Sequence, residues 1–264
     1  MKKIAPRGIV VGLGIIVLGI GAAGVYYRDA LVENYYLHRL ESEDAEARRE
    51  AGSKLVEMAS TKAIVPLIRL QVSEKRPTFE GLIDIAARKP EEFSRFVESA
   101  VSNERFAADV RCFAIYLLSE IAWQRTETLE AVELATRSQN SAVEQFARSA
   151  RDQINDNLTR KGGPRLGLMV MQRSDGLLVG SVLEYSSSWC VGIRDGDVIT
   201  RIKETEVHSL GDMVRQTREV TSGELVPITL IRDDQQVETH LCASSEPSGV
   251  APLLLEMWTT TSQE

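Results

Sequence analysis

Val191-Gly192-Ile193-Arg194-Asp195-Gly196-Asp197-Val198-Ile199-Thr200-Arg201-Ile202 carries more structural information than any other run in the chain. Asp195-Gly196 is a turn-former, because glycine takes backbone angles that a Cβ forbids. Asp197 to Ile202 then reads as a strand rich in β-branched residues. Outward from it, short β-rich runs recur at Leu166 to Met171, Leu177 to Leu183, Val226 to Ile231 and Val237 to Cys242. Ser174-Asp175-Gly176 and Asp233-Asp234 punctuate them. One helical pattern, Leu210 to Val220, interrupts the series. Roughly 80 residues with five or six strands and one or two helices fit a small capped β-barrel.

The run from Val191 to Ile202 closely resembles the Ala-Gly-Leu-x-x-Gly-Asp-Val-Ile-x-x-Ile stretch of PDZ domains, especially those of bacterial HtrA-type proteases. The similarity continues through Leu210-Gly211-Asp212-Met213-Val214, Ser222-Gly223 and Ile228-Thr229-Leu230-Ile231-Arg232. Lys203-Glu204-Thr205-Glu206-Val207 keeps the family's valine and lacks its Asn-Gly, which implies a changed turn and an unchanged fold. The resemblance implies capture of peptide carboxyl termini by strand addition. Arg165-Leu166-Gly167-Leu168 resembles the carboxylate loop, with Arg165 as the basic residue and Gly167 letting backbone approach the ligand without a Cβ in the way. Leu168, Met169 and Val170 would pair with the peptide. Leu210, Met213, Val214 and Thr217 would form the helical wall, with Met213 and Val214 competing for the pocket. His208 would be a solvated cap, and Trp189 would pack over the barrel end. Cys190 and Cys242 are open to pairing in an exported protein.

Residues 28–161 are rich in Ala, Leu, Glu and Arg, with apolar residues at helical spacing. Ala47-Arg48 with Ala51 and Leu55 parallels Val110-Arg111 with Ala114 and Leu118. A weaker copy near Phe79 uses Ile83 and Ala87, and another starts at Val143. Asp44 and Asp109 are candidate helix caps, and Pro66, Pro77 and Pro90 punctuate the region. The pattern resembles HEAT-like repeats, which implies stacked helices presenting a protein-binding face or acting as a spacer. Cys112 reads as a buried thiol.

The amino terminus differs from the rest. Lys2, Lys3 and Arg7 precede a stretch from Gly8 to Tyr27 without a charge. At about 1.5 Å per residue it spans about 30 Å, the thickness of a bilayer core. It reads as a membrane anchor in preference to a cleaved signal peptide, and either reading exports the remainder. The Lys/Arg asymmetry places the N-terminus in the cytoplasm and the bulk outside it, in a periplasm or its equivalent.

Thirty-one Lys+Arg against 38 Asp+Glu leave a net charge of −7, which argues against a nucleic-acid partner. Three cysteines build no disulfide scaffold. There is no Gly-x-Ser-x-Gly, no His-Glu-x-x-His and no phosphate-binding glycine loop, so no catalytic residue, metal or cofactor is assigned. The expected fold class is α+β multidomain: an N-terminal transmembrane helix within 1–27, a HEAT-like helical solenoid over 28–161, a PDZ-type capped β-barrel over 163–243 and a tail over 244–264. The apolar Leu253 to Trp258 would dock on the folded part. The expected function is that of a membrane-anchored, non-catalytic adaptor that binds protein termini or extended peptides, held to the membrane through residues 8–27. The alternative is a regulatory or substrate-delivery subunit of a separate protease.

Overall fold

The computed structural model describes residues 28–76, 80–121, 125–159, 166–218, 220, 223–243 and 250–260. The chain divides into two compact units, Met1–Met58 and Ala59–Glu264. In the first, residues 28–39 form α1 and Ala45–Glu57 form α2. Asp44 caps α2: its carboxylate accepts the Glu46 N–H at 2.9 Å, satisfying an amide that has no partner within the helix. Ala47, Ala51 and Leu55 fall on one face and are buried. Arg48 points back and donates to the Ser42 and Glu43 carbonyls at 2.9 Å each.

The second unit begins with six helices: α3 (Ile64–Ser73), α4 (Leu82–Arg88), α5 (Pro90–Ser102), α6 (Ala108–Ile121), α7 (Thr126–Ala135) and α8 (Ser141–Thr159). Pro90 opens α5, where a missing N–H costs nothing. Every residue of α6 from Val110 to Glu120 is buried. A helix covered on all sides has to be a core element, and α6 packs against α3, α5, α8 and the C-terminal α11 (Ala251–Thr260). On α11, Leu254 and Trp258 lie one turn apart and are buried. The Trp258 ring stacks on Phe113 at 6.4 Å, and Lys75 Nζ donates to the Trp258 carbonyl at 3.0 Å. The apolar tail segment therefore docks on the helices, as its composition suggests.

The remaining elements are β1 (Leu168–Arg173), β2 (Gly176–Val182), α9 (Ser187–Cys190), β3 (Val198–Ile202), β4 (Thr205–Glu206), α10 (Leu210–Thr217), β5 (Leu225–Arg232) and β6 (Gln235–Cys242). The strands form one antiparallel sheet in the order β1-β2-β3-β5-β6, with the short β4 on β3. The β3–β4 turn places Lys203 at φ 55°, the changed turn implied by the missing Asn-Gly. Leu177, Val179, Ile199, Ile202, Ile228 and Leu230 supply the buried face of the sheet.

Several expectations are corrected. The sheet is open, with β1 and β6 as edges, and is no closed barrel; alternation along each strand fixes which face is buried but not whether the two edges meet. Among the described residues no helix is long and apolar enough to cross a membrane. The longest, α8, has nineteen residues but carries Glu144, Arg148, Arg151, Asp152 and Asp156. The expected span, residues 8–27, lies outside the described residues, and the single-pass reading with a periplasmic bulk does not stand. Residues 28–39, 45–57 and the helices beyond them bear out a helical region, whereas a HEAT-like repeat is not shown: helix length runs from seven residues in α4 to nineteen in α8. Phe79, in the weaker copy, lies outside the described residues, as does Pro77. Cys112, Cys190 and Cys242 are all buried and all free.

Candidate functional site

An open sheet leaves a strand edge with unpaired backbone groups, and that edge can accept another chain. Among the described residues β1 pairs only with β2, which leaves its other edge without a strand partner. The helix α10 lies against β1. Its start is fixed by a capping box: the Ser209 hydroxyl accepts the Asp212 N–H at 3.2 Å, while Asp212 accepts the Ser209 N–H at 2.9 Å and the His208 N–H at 3.1 Å. Asp212 also pairs with Arg215. The Ser209 hydroxyl and these donors hold the Asp212 carboxyl down at about 2. His208 is exposed, as expected, but the cap is Ser209 and His208 lies one residue before it.

Between β1 and α10 the side chains are apolar and open. Leu168 and Val170 are half-buried on one face of β1. Leu210 and Val214, one turn apart on α10, are 49% and 62% exposed. Met213 and Thr217 are half-buried on the same helix, and the Thr217 hydroxyl is taken up by the Met213 carbonyl at 2.9 Å. The exposure favours Val214 over Met213 as the residue open to a ligand. Met169 points to the other face of β1 and is 68% exposed. The structure thus brings Leu168, Val170, Leu210, Met213, Val214 and Thr217 to one edge of the sheet. Arg165 lies outside the described residues.

The loop before β1 is clamped from behind. The Leu166 carbonyl accepts the Ser188 N–H at 3.3 Å and the Ser187 hydroxyl at 3.5 Å, and the Gly167 carbonyl accepts the Leu183 N–H at 2.8 Å. With both carbonyls turned inward, the Leu166 and Gly167 N–H groups donate to nothing among the described residues. Two successive free amides at the mouth of an apolar groove make a site for an anionic group. The structure gives Gly167 a further constraint of its own. Its φ is 68°, and a Cβ there would collide with the side chain of Ser186, the cap of α9.

The clamp itself escaped the sequence reading. Ser186 caps α9 by accepting the Trp189 N–H at 3.3 Å. A serine before a short helix is a legible signal, but the partners Leu166 and Gly167 lie some twenty residues upstream. Trp189 is half-buried and meets the Tyr185 ring edge-on at 5.2 Å. Asp197, in the diagnostic run, is buried and holds Arg232 of β5 with two bonds of 2.8 and 2.7 Å, while also accepting the Arg194 N–H at 2.8 Å. The same arginine donates to the Gly192 carbonyl at 2.7 Å. The diagnostic run is therefore scaffold, welded to β5 behind the groove. Among the described residues no group of His, Cys, Asp and Glu is placed to hold a metal ion.

The PDZ domain family pattern matches residues 164–241. No curated protein matches the chain. Among solved structures it is similar to the HtrA-type protease AlgW with decapeptide, at 19% identity over 39% of this chain and 35% of that one, with a TM-score of 0.31. It is also similar to the serine endoprotease from Yersinia pestis, at 22% identity over 43% of this chain and 36% of that one, with a TM-score of 0.30. A third is the photosystem II D1 C-terminal processing protease, at 14% identity over 53% and 44%, with a TM-score of 0.29. The chain spans about a third of the length of the first two. Residues 164–241 of this chain are a PDZ domain.

Proposed function

We propose that the chain is a non-catalytic peptide-binding protein that captures the free carboxyl end of another polypeptide. The observation that carries this reading is the edge of β1, unpaired among the described residues, beside the open apolar face of α10, with the Leu166 and Gly167 N–H groups donating to no described residue. An incoming strand would extend the sheet antiparallel to β1, its last side chain entering between Leu168 and α10 and its carboxylate meeting the two amides. The non-catalytic part of the reading rests on the sequence, which has none of the nucleophile, metal or phosphate motifs sought above. In this reading residues 28–161 serve as a helical arm and 163–243 as the capture domain.

The test is titration of a fluorescent apolar-ended decapeptide into the full chain, as free acid and as C-terminal amide. Affinity of the acid should be micromolar, about −8 kcal/mol, and amidation should weaken it about tenfold, the scale of a lost charge-assisted hydrogen bond. Val214→Glu, at an exposed position that leaves the core untouched, should abolish binding. Equal affinity for acid and amide, or binding indifferent to Val214→Glu, would overturn the reading.

A further inference from the structure

Both faces of the free edge strand are apolar. Leu168 and Val170 face the α10 side; Met169 and Met171 alternate with them on the opposite face, 68% and 55% exposed. A soluble sheet edge that bore only one binding face would carry polar residues on the other, and natural edges are commonly protected by charge. Here the first charged residue of β1 is Arg173, at the far end, where it pairs with Asp175 at 3.0 Å. The neighbouring β2 has no charged residue from Gly176 to Val182. Beyond it Leu183 is also largely exposed.

The backbone preserves this second face. The register between β1 and β2 shifts between Met169 and Val170, with Met169 opposite Ser181 and Val170 opposite Val179. The extra residue is therefore Gly180, on β2, so β1 keeps its alternation. A Cβ on Gly180 would meet Met171 Cε at 3.2 Å, tighter than ordinary contact. The bulge glycine gives the methionine a shallow bed against the sheet.

We infer that Met169 and Met171 read the ligand's penultimate and fourth-from-last side chains, so that the preferred terminus is an unbroken apolar run. This rests on the strand-addition reading above. A strand added to β1 alternates its own side chains between the two faces. If its last and third-from-last residues turn toward α10, the intervening ones turn toward Met169 and Met171, within cross-strand reach. An amphipathic strand, apolar on one face and charged on the other, would desolvate its charges against two thioethers without a partner. Methionine is unbranched and adaptable, so the shape of the apolar side chain matters little at these positions. The partner class is then a polypeptide end apolar on both faces, the kind of segment a folded protein keeps buried.

The experiment uses the full chain and three decapeptides of common N-terminal sequence, ending Val-Leu-Val-Leu, Asp-Leu-Asp-Leu and Lys-Leu-Lys-Leu, with the amide of the first as control. The wholly apolar terminus should bind about tenfold or more tightly than either charged one, the scale of one or two apolar side chains removed from water. Met169→Lys with Met171→Lys, both at exposed positions, should erase that preference and favour the Asp peptide over the Lys peptide. Equal affinity for all three acids, with the amide still weaker, would overturn this inference and leave the capture reading standing. Indifference to amidation would overturn both.

Discussion

The hydroxyl of Tyr116 and the thiol of Cys190 lie 2.7 Å apart, both fully buried. Tyr116 belongs to α6, the spine of the helical part; Cys190 ends α9, whose serines clamp the Leu166–Gly167 loop. The mouth of the groove is thus tied to the helical core through a four-residue helix. Other bonds run alongside: Cys242 Sγ donates to the Glu120 carbonyl at 2.9 Å, His240 meets Asp84 at 3.2 Å, and Arg194 meets Glu80 at 3.3 Å. Gly192, at φ 80°, lies so close to Glu80 that any Cβ would strike its carboxylate. The helices from Ala59 and the sheet form one compact unit. The Tyr116–Cys190 and Cys242–Glu120 bonds are buried, where polar groups must pair, while His240–Asp84 is half-buried and Arg194–Glu80 is exposed.

Tyr116→Phe keeps the ring and removes the hydroxyl, leaving the Cys190 thiol without that partner. The expected loss is about 1 kcal/mol, the net worth of a buried hydrogen bond. Thermal unfolding followed by far-ultraviolet and tryptophan signals should still show one transition for residues 59–260, at lower temperature. Two separated transitions in the wild-type protein would refute the coupling.

Burial pushes all three thiols up, Cys112 to about 12, and it likewise raises Tyr116. The native state therefore holds protons that the unfolded chain releases from about the usual thiol value of 9.0 upward. Stability should be level below that pH and fall above it, as measured by urea midpoints between pH 7 and 11. In parallel, iodoacetamide at pH 8 should leave the folded protein unlabelled and react three times per chain once it is unfolded.

Asp197→Asn breaks an ion pair whose carboxylate is buried and whose guanidinium is half-buried, and leaves Arg232 with an amide that cannot match both of its bonds. Stranding one member of such a pair costs about 3 kcal/mol. The urea midpoint should fall accordingly. A midpoint unchanged from wild type would mean that the diagnostic Gly-Asp-Val-Ile run is not fastened to β5 as described.

Asp212 is held at about 2 against an ordinary 3.8, first by the Ser209 hydroxyl and then by the His208 amide. A depressed carboxylate contributes stability that is complete above the unfolded value and is lost as pH falls through the folded one. The amides of His208–Asp212 should keep their exchange protection down to about pH 4 and lose it between about 4 and 2. In Asp212→Asn that loss should already be present at pH 7, together with weaker peptide binding.

Much of this fold was legible locally. Val198–Ile202 became β3 within one residue of its sequence assignment, and Leu210–Thr217 became the groove helix, because a strand's apolar alternation and a capped amphipathic turn are encoded within a few residues. The apolar Leu254 and Trp258 predicted a docked tail and are buried. Residues without a local signal were missed. The Ser186–Cys190 clamp matters only because Leu166 and Gly167 return to it, and the outer face of β1 became informative only once Met169 and Met171 proved exposed.

The amino-acid sequence by itself determined that a PDZ domain occupies the C-terminal part of this chain, that helices precede it, and which strand and helix flank its groove. These follow from side-chain period and turn chemistry, which act over a few residues at a time. Only the tertiary structure decided that the sheet is open, that Gly167 is demanded by Ser186, and that Tyr116 anchors the groove from the helical side. Those depend on pairs such as Tyr116 and Cys190, far apart along the chain, whose meeting is set by how whole elements share one core.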